Sequence, residues 1–176
     1  MISDTYVVGA MVCFDDNRNG FCDLSEESEK TFDGGIFSFS EEVSSTKEDA
    51  LLIARVDTDT ETYVLSANQF KNTQEQTITP FTTLVVNEQI FNPTVNGEQV
   101  EAVNYLESTL LVPKAMLEGE DYIALNAMDV TTKAGNLTDS FISAYRFKTS
   151  APYTTIANVV DEAIKMQNLS VVVNEI

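Results

Sequence analysis

Oxygen-bearing side chains recur at short intervals between residues 15 and 26, with one glycine among them. A hard cation such as Ca²⁺ takes about six to eight oxygen ligands, and a tightly coiled loop lets alternate residues converge on one ion. The candidate ligands, at loop positions 1, 3, 5, 7, 9 and 12, are Asp15, Asn17, Asn19, Phe21, Asp23 and Glu26. Phe21 would contribute its backbone carbonyl, and Glu26 could bind with both carboxylate oxygens. The spacing therefore predicts a calcium site.

The same spacing defines the EF-hand calcium loop, here with Asn at positions 3 and 5. Gly20 stands at position 6, where the chain must turn sharply and a positive φ is tolerated best without a Cβ atom. With two Asn among the ligands, we expect a modest affinity, on the order of 10⁻⁵–10⁻³ M. The alternative interpretation is an acidic surface turn without a metal, because Asn and Asp are common in turns.

The flanks of the loop differ from those of an EF-hand. Residues 6–12 are apolar and rich in β-branched side chains, which predicts a strand where an EF-hand has its entering helix. We therefore expect a calcium clasp at the end of a β-hairpin. A sensor that opens a pair of helices on binding Ca²⁺ is the less favoured alternative.

Two cysteines, Cys13 and Cys22, bracket most of the loop. They could be free thiols in the core or two ligands of a metal. The eight-residue gap between them is not zinc-ligand spacing, and no His completes a ligand set. A disulfide fits better, and closing this loop should stabilise the fold by about 2–3 kcal/mol. It would also imply an oxidising compartment.

Composition excludes several functions. The chain has 176 residues and a net charge of −18, so nucleic acids and anionic membranes are disfavoured partners. The absence of His excludes Ser-His-Asp and Cys-His catalysis and nearly every usual zinc enzyme site. No apolar run approaches the ~18–20 residues of a membrane span. The first residues lack the basic and apolar segments of a signal peptide, so an exported protein would have to be a mature form or a fragment.

The predicted fold class is α+β, with a calcium-loop β-sandwich or β-sheet part over residues 1–68 packed against a mainly helical part over residues 77–176. The predicted strands are residues 5–14, 31–39, 51–56 and 62–67, with a short strand at 169–173. The predicted helices begin at Thr79-Pro80, cover residues 97–111, and occupy the later end of 115–134 up to a terminator at Gly135. Apolar spacing predicts two more helices, marked by Leu137, Phe141, Ile142 and Tyr145 and by Ile156, Val159, Val160, Ala163 and Ile164.

Two finer predictions concern the buried face of one helix and a second possible cation site. The inner stripe of the helix over 97–111 is predicted as Val100, Val103, Leu106 and Leu110. Asp57 and Asp59 lie in an acidic turn between two strands and could hold a second cation, although such a turn is more commonly solvated.

Residues 8–39 resemble a module of bacterial surface proteins and lipoproteins. The module has the pattern G-A-x-V-C-x-D-x-N-x-N-G-x-C-D-x-x-E, followed by T-x-D-x-x-G-x-Y-x-F, and is similar to carboxypeptidase-regulatory-like, transthyretin-like β-sandwiches. The resemblance continues weakly at residues 79–85, which look like the T-P-L-T-T-L-V segment found downstream in such proteins. Ser25-Glu26-Glu27 stands where Gly-Glu-Pro is usual, and Asp33-Gly34-Gly35 replaces a longer turn, but no side-chain ligand is lost. The resemblance implies an extracytoplasmic calcium-binding β-module without one defined activity.

The favoured hypothesis is a non-enzymatic extracytoplasmic module of a bacterial surface protein, adhesin or lipoprotein, with Ca²⁺ as a structural clamp. Its partner would be an extracellular protein or polysaccharide. One alternative is a glycan-active enzyme that uses a pair of carboxylates, although with 28 acidic residues a chance pair is nearly certain. The other alternative is the calcium sensor.

Overall fold

Four antiparallel strands form one sheet at the N-terminal end of the chain. The computed structural model describes residues 6–47, 50–59, 62–69, 77–126 and 128–146. The strands are β1 (Met11–Asp15), β2 (Ser28–Lys30), β3 (Leu51–Asp57) and β4 (Thr62–Asn68). Their order across the sheet is β2-β1-β3-β4, so β1 and β3 are central. The predicted strand pair over 51–56 and 62–67 is confirmed as the β3–β4 hairpin.

Helices follow the sheet and pack against it, which confirms the α+β fold class. A short helix precedes β3, and four lie in the C-terminal part of the described chain: α1 (Glu41–Thr46), α2 (Pro80–Phe91), α3 (Gln99–Leu110), α4 (Lys114–Leu117) and α5 (Met128–Arg146). None of the helices in these described ranges is long and apolar enough to cross a membrane.

Successive residues of β1 belong to different hydrophobic clusters. Cys13 packs with Ile53 of β3 and Val86 of α2. Val12 and Phe14 pack in a separate cluster with Leu52 of β3. This division follows from the pleat, which turns alternate side chains to opposite faces of the sheet. The loop that follows Asp15 therefore shares its side of β1 with Cys13.

Helix α2 begins where the sequence predicts. Thr79 is the N-cap and Pro80 the first helical residue, and Thr79 and Thr82 form a reciprocal capping box. The helix is buried along most of its length and unites the two parts of the chain, because Phe81, Leu84 and Val85 lie in one cluster with Tyr63 of β4. Residues of α3, α4 and α5 complete this main core.

The N-terminal turn of α2 also covers the outer edge of the sheet. Strand β4 ends the strand order, so its outer side has no neighbouring strand among the described residues. Thr83 Oγ1 accepts a hydrogen bond of 2.9 Å from Ser66 N–H, and Thr82 Oγ1 donates one of 2.9 Å to the Ser66 carbonyl. Two threonine hydroxyls thus satisfy backbone groups that a further strand would otherwise pair with, which protects an edge from aggregation.

The predicted strand over residues 31–39 is wrong. Residues 33–35 form a 3₁₀ turn in which Gly34 and Gly35 have φ of 78° and 70°, so the chain reverses there and Phe32 N–H bonds to the Ile36 carbonyl. The strand that pairs with β1 is instead β2, directly before this turn. The first strand starts later than predicted, at Met11, because Gly9 takes a φ of 84°.

The predicted terminator Gly135 lies inside α5, which runs unbroken from Met128 to Arg146. A glycine within a helix costs about 1 kcal/mol relative to Ala. Burial of Ala134, Leu137 and Thr138 on the adjoining turns outweighs that cost. The predicted inner position Val100 is also wrong, because it is 63% exposed while Ala102 joins Val103, Leu106 and Leu110 in the buried stripe of α3.

Some predictions fall beyond the described chain. The helix marked by Ile156, Val159, Val160, Ala163 and Ile164 and the strand at 169–173 lie outside the described residues, as do the side chains of Phe141 and Tyr145. The polar stretch Glu41–Thr46 between the predicted strands forms the short helix α1.

We predict that Thr83→Val lowers the free energy of unfolding by about 1–3 kcal/mol, because it leaves the buried Ser66 N–H without its acceptor. Thr132→Val is the matched control, since Thr132 is an exposed residue of α5. It should change stability by less than about 0.5 kcal/mol. Urea unfolding of both variants measures the difference. Equal midpoints would show that the threonine hydroxyls do not stabilise the sheet edge.

Candidate metal centre

The oxygen-rich loop connects β1 to β2. Asp15, the first predicted ligand, is the last residue of β1, and Glu26, the last ligand, comes two residues before β2. This arrangement confirms that a strand enters the loop where an EF-hand has a helix. The loop is a β-hairpin connection whose two ends are held by the β1–β2 ladder.

A disulfide joins Cys13 to Cys22, with 5.6 Å between their Cα atoms. Cys13 is fully buried in β1, and Cys22 packs against the cluster that contains Leu51, Ile53 and Val64. The bond therefore fastens the middle of the loop to the sheet face beneath it. The prediction that the two cysteines pair with each other is confirmed.

Asp15 is fully buried at the start of the loop. Its two carboxylate oxygens accept hydrogen bonds from the backbone N–H groups of Asn19 (2.9 Å) and Gly20 (2.8 Å). Gly20 has a φ of 80°, which confirms the predicted left-handed turn at position 6. The backbone thus coils around the Asp15 carboxylate, as a loop must if its side chains are to converge on one ion.

Glu26 bridges the two ends of the loop. One carboxylate oxygen accepts the N–H of Asp16, and the other accepts the N–H of Asp23, each at 3.0 Å. Its side chain is buried despite its charge. Position 12 therefore reaches back across the loop, as the predicted bidentate ligand must.

Two predicted ligands converge on one atom of a third. The side-chain amides of Asn17 and Asn19 both donate to Asp23 Oδ2, each over 2.8 Å. The amide oxygens face the backbone instead: Asn17 Oδ1 accepts the N–H of Asn19, and Asn19 Oδ1 accepts the N–H of Phe21. Positions 3, 5 and 9 are thus brought together, with the two amides turned so that nitrogen points inward.

The electrostatics of the loop favour added positive charge. Burial raises the pKa of Asp15, and the negative charge of Glu26 raises it further, whereas hydrogen bonds from the N–H groups of Gly20, Asn19 and Arg18 lower it. The net result is a raised pKa, so the backbone donors do not fully offset the cost of holding this carboxylate ionised in the interior.

The loop offers oxygen donors for a hard divalent cation, but its side chains would have to rearrange to bind one. No group of three or more acidic, Cys or His side chains in the described ranges is close enough to form a metal cluster by itself. The ligand set would therefore depend on amide and backbone oxygens as well as on Asp15, Asp23 and Glu26. Half a turn of each Asn side chain about its last bond brings Oδ1 to the place that its nitrogen occupies. It also breaks the hydrogen bonds that these oxygens accept from the N–H groups of Asn19 and Phe21. The fit thus requires Asn17 and Asn19 to turn.

One contact of the loop could not be predicted from the sequence. Lys47, at the end of α1, forms an ion pair with Asp16 and so ties loop position 2 to another element. The two residues are 31 positions apart, and no spacing rule links them. Arg18 also adopts a left-handed conformation, with a φ of 55°, which its residue type does not indicate.

In the acidic turn after β3, the candidate second cation site, one carboxylate is already paired with an arginine. Asp57 accepts hydrogen bonds from Arg55 (2.9 and 3.2 Å) and from the Thr62 hydroxyl (2.8 Å). Burial alone would raise the pKa of Asp57, but these bonds and the charge of Arg55 outweigh it, so the pKa is lowered. The carboxylate that was a candidate for a second cation already has a cationic partner. Asp59 is exposed.

Comparison of this chain with models of protein families, with curated proteins and with solved structures gives no match.

We predict that non-reducing peptide mapping finds one cross-link, between Cys13 and Cys22. Reduction should lower the free energy of unfolding by about 2–3 kcal/mol, because the loop is then unconstrained in the unfolded chain. A Cys13→Ala, Cys22→Ala double variant is the control, since the reductant should leave its stability unchanged. Two thiols that label readily in protein from an oxidising compartment would contradict the pairing.

Proposed function

We propose that residues 15–26 form a structural calcium site in a non-enzymatic extracytoplasmic module of a bacterial surface protein, adhesin or lipoprotein. The observation that carries the proposal is the burial of two carboxylates, Asp15 and Glu26, at the two ends of one short loop. Asn17, Asn19 and Asp23 are brought together between them. A solvated surface turn has no need to bury two carboxylates.

The chemistry of the donors favours calcium over other ions. The set contains carboxylate, amide and carbonyl oxygens and no nitrogen or sulfur ligand, which suits a hard cation. Mg²⁺ demands a nearly ideal octahedron at roughly 2.0–2.1 Å, whereas Ca²⁺ accepts longer and less regular contacts. A loop that offers both oxygens of Glu26 and contributes side chains at alternate positions meets the second requirement better.

The ion would act as a clamp and not as a switch. A calcium sensor needs a pair of helices that can change their angle. Here the elements on either side of the loop are β1 and β2, whose register is fixed by backbone pairing from Met11↔Lys30 to Cys13↔Ser28. The disulfide limits how far the loop can open. Removing the ion would therefore loosen the loop and leave the helices in place.

Cell location and partner are inferred from the disulfide, the resemblance and the net charge. The disulfide favours an oxidising compartment, such as the periplasm or the cell surface. The resemblance of residues 8–39 to modules of surface proteins and lipoproteins points to the same place. A partner there would be an extracellular protein or a polysaccharide, because a net charge of −18 disfavours nucleic acid.

Calorimetric titration of the oxidised protein with Ca²⁺ should show one site with a dissociation constant on the order of 10⁻⁵–10⁻³ M, and weaker binding of Mg²⁺. Asp15→Asn should weaken calcium binding by roughly tenfold or more, because it removes charge from the ligand that the backbone encloses. Asp59→Asn is the matched control, since it makes the same change at an exposed acid outside the loop. No detectable heat at millimolar Ca²⁺, or equal binding by the two variants, would refute the site.

Calcium should stabilise the fold without rearranging it. A hundredfold excess over the dissociation constant adds about 2.7 kcal/mol to the free energy of unfolding. For a chain of this size, that corresponds to a rise in Tm of roughly 5–10 °C. Chelation should reverse the rise and expose residues 15–30 to proteases, while the helical circular dichroism stays nearly constant. A large gain of helix or of dye-accessible apolar surface on adding Ca²⁺ would support a sensor instead.

A further inference from the structure

The chain contains two Asn-Gly pairs, and one of them lies in the turn that leads into α3. Asn96 and Gly97 have φ of 51° and 76°, and both are exposed. The Glu98 N–H donates a hydrogen bond of 2.8 Å to the Val95 carbonyl across them. Two residues of positive φ enclosed by such a bond are typical of a type I′ turn, for which Asn-Gly is a preferred sequence.

An Asn-Gly pair can rearrange without an enzyme. The backbone nitrogen of the glycine attacks the side-chain carbonyl carbon of the asparagine, and the new C–N bond closes a succinimide ring. The side-chain nitrogen leaves as ammonia and takes the N–H proton of the glycine with it. Water then opens the ring at one of its two carbonyls, which gives aspartate or isoaspartate. Glycine favours the attack because it has no Cβ atom beside the nitrogen and adopts backbone conformations that cost other residues energy.

The hydrogen bonds that hold the turn do not involve the two reacting atoms. The bond that closes it uses the Val95 carbonyl and the Glu98 N–H, so the Gly97 nitrogen is not part of it. A second bond, of 3.0 Å, runs from Gln89 Nε2 to the Gly97 carbonyl. Asn96 is exposed to the water that the ring opening consumes. Ring closure therefore requires only a local rotation of exposed residues.

The second pair, Asn19-Gly20, is held at each of its reacting groups. The Gly20 N–H donates to Asp15 Oδ2 over 2.8 Å, and Gly20 is buried. The Asn19 side chain donates through Nδ2 to Asp23 Oδ2 and accepts through Oδ1 from the Phe21 N–H, each over 2.8 Å. An attack by the Gly20 nitrogen on Asn19 would have to disrupt these bonds. The folded loop should therefore protect this pair.

Asn126 offers a second comparison within the chain. It is exposed and has the same φ of 51° as Asn96, but the residue that follows it is Ala127. The Cβ atom of an alanine crowds the attacking nitrogen and restricts its backbone. Of these three asparagines, Asn96 is the one that combines exposure with a following glycine.

We propose that Asn96 is a site of spontaneous deamidation through a succinimide with Gly97, and that the hydrogen bonds of the loop spare Asn19. The isoaspartate product inserts an additional carbon atom into the main chain of the turn. Val95, directly before it, is buried in the main core, and the Gly97 carbonyl directly after it is bonded to Gln89 of α2. The longer chain cannot keep both contacts unchanged, so the modification should destabilise the junction between α2 and α3. This inference is separate from the calcium proposal.

Peptide mapping by mass spectrometry tests the proposal on the oxidised full chain. The protein is incubated at mildly alkaline pH with a chelator, so that the loop keeps the contacts described above. We expect Asn96 to convert to aspartate and isoaspartate at least severalfold faster than Asn19 or Asn126. The isoaspartyl form, once separated, should unfold at a lower urea concentration than the unmodified chain. In urea with a reductant, Asn19 should react about as fast as Asn96, because the bonds that hold it are gone.

Gly97→Ala is the matched variant, since it changes only the residue that supplies the attacking nitrogen. A Cβ atom at this position fits, because the nearest atom, the Gln89 carbonyl oxygen, is 4.0 Å away, although the positive φ makes the substitution strained. It should slow the conversion of Asn96 to about the rate of Asn126.

The folded wild-type chain decides the question even if Gly97→Ala fails to fold. Conversion of Asn96 no faster than that of Asn126 would overturn the proposal. Conversion of Asn19 as fast as that of Asn96 in the folded chain would refute protection by the loop. A slow reaction of Asn19 in urea would also refute it, because the difference would then come from the neighbouring sequence and not from the fold.

Discussion

The two-sidedness of β1 is the constraint on which the rest of the structure depends. Cys13 is bound to the loop through its disulfide and packs on one face, whereas Val12 and Phe14 pack on the other. The strand is central and pairs with both β2 and β3, so it cannot shift by one residue without turning every side chain to the wrong face. This fixed register holds Asp15 at the start of the loop, and with it the position of the proposed ion.

Burial of charge at the end of a core strand sets the chemistry of the loop. An ionised carboxylate inside a protein costs several kcal/mol unless it is paired or hydrogen-bonded. The loop meets part of this cost with backbone N–H donors to Asp15 and Glu26. These donors are dipoles without net charge, so the repulsion between the two carboxylates remains. A divalent cation would remove it. The disulfide and the ion would then stabilise the same loop in different ways, one by restricting the unfolded chain and the other by binding the folded one.

Predictions from the sequence succeed where local chemistry determines the structure. Thr79 and Pro80 fix the start of α2 because capping involves only neighbouring residues, and Gly20 takes its left-handed turn for a similarly local reason. These predictions fail where tertiary packing determines the structure. Gly135 is tolerated within α5 because buried residues lie beside it. Val100 is exposed because the buried stripe of α3 runs through Ala102 instead.

The candidate site likewise has features that the sequence predicts and features that depend on tertiary contacts. Spacing predicts six ligand positions, and the structure brings three of these residues, Asn17, Asn19 and Asp23, together. The ligand role of all six stays a prediction. The orientation of the two amides and the ion pair between Asp16 and Lys47 depend on three-dimensional contacts, and no residue type or spacing predicts them.

The most direct test of the calcium proposal is a crystal structure of the oxidised protein grown in millimolar Ca²⁺. We predict one ion in the loop, bound by oxygens of Asp15, Asn17, Asn19, Asp23 and Glu26 and by the Phe21 carbonyl at roughly 2.3–2.6 Å. Both Asn side chains should have turned, so that Oδ1 and not the nitrogen faces the ion. A loop without density for an ion, with both amides still hydrogen-bonded to Asp23 Oδ2, would contradict the proposal.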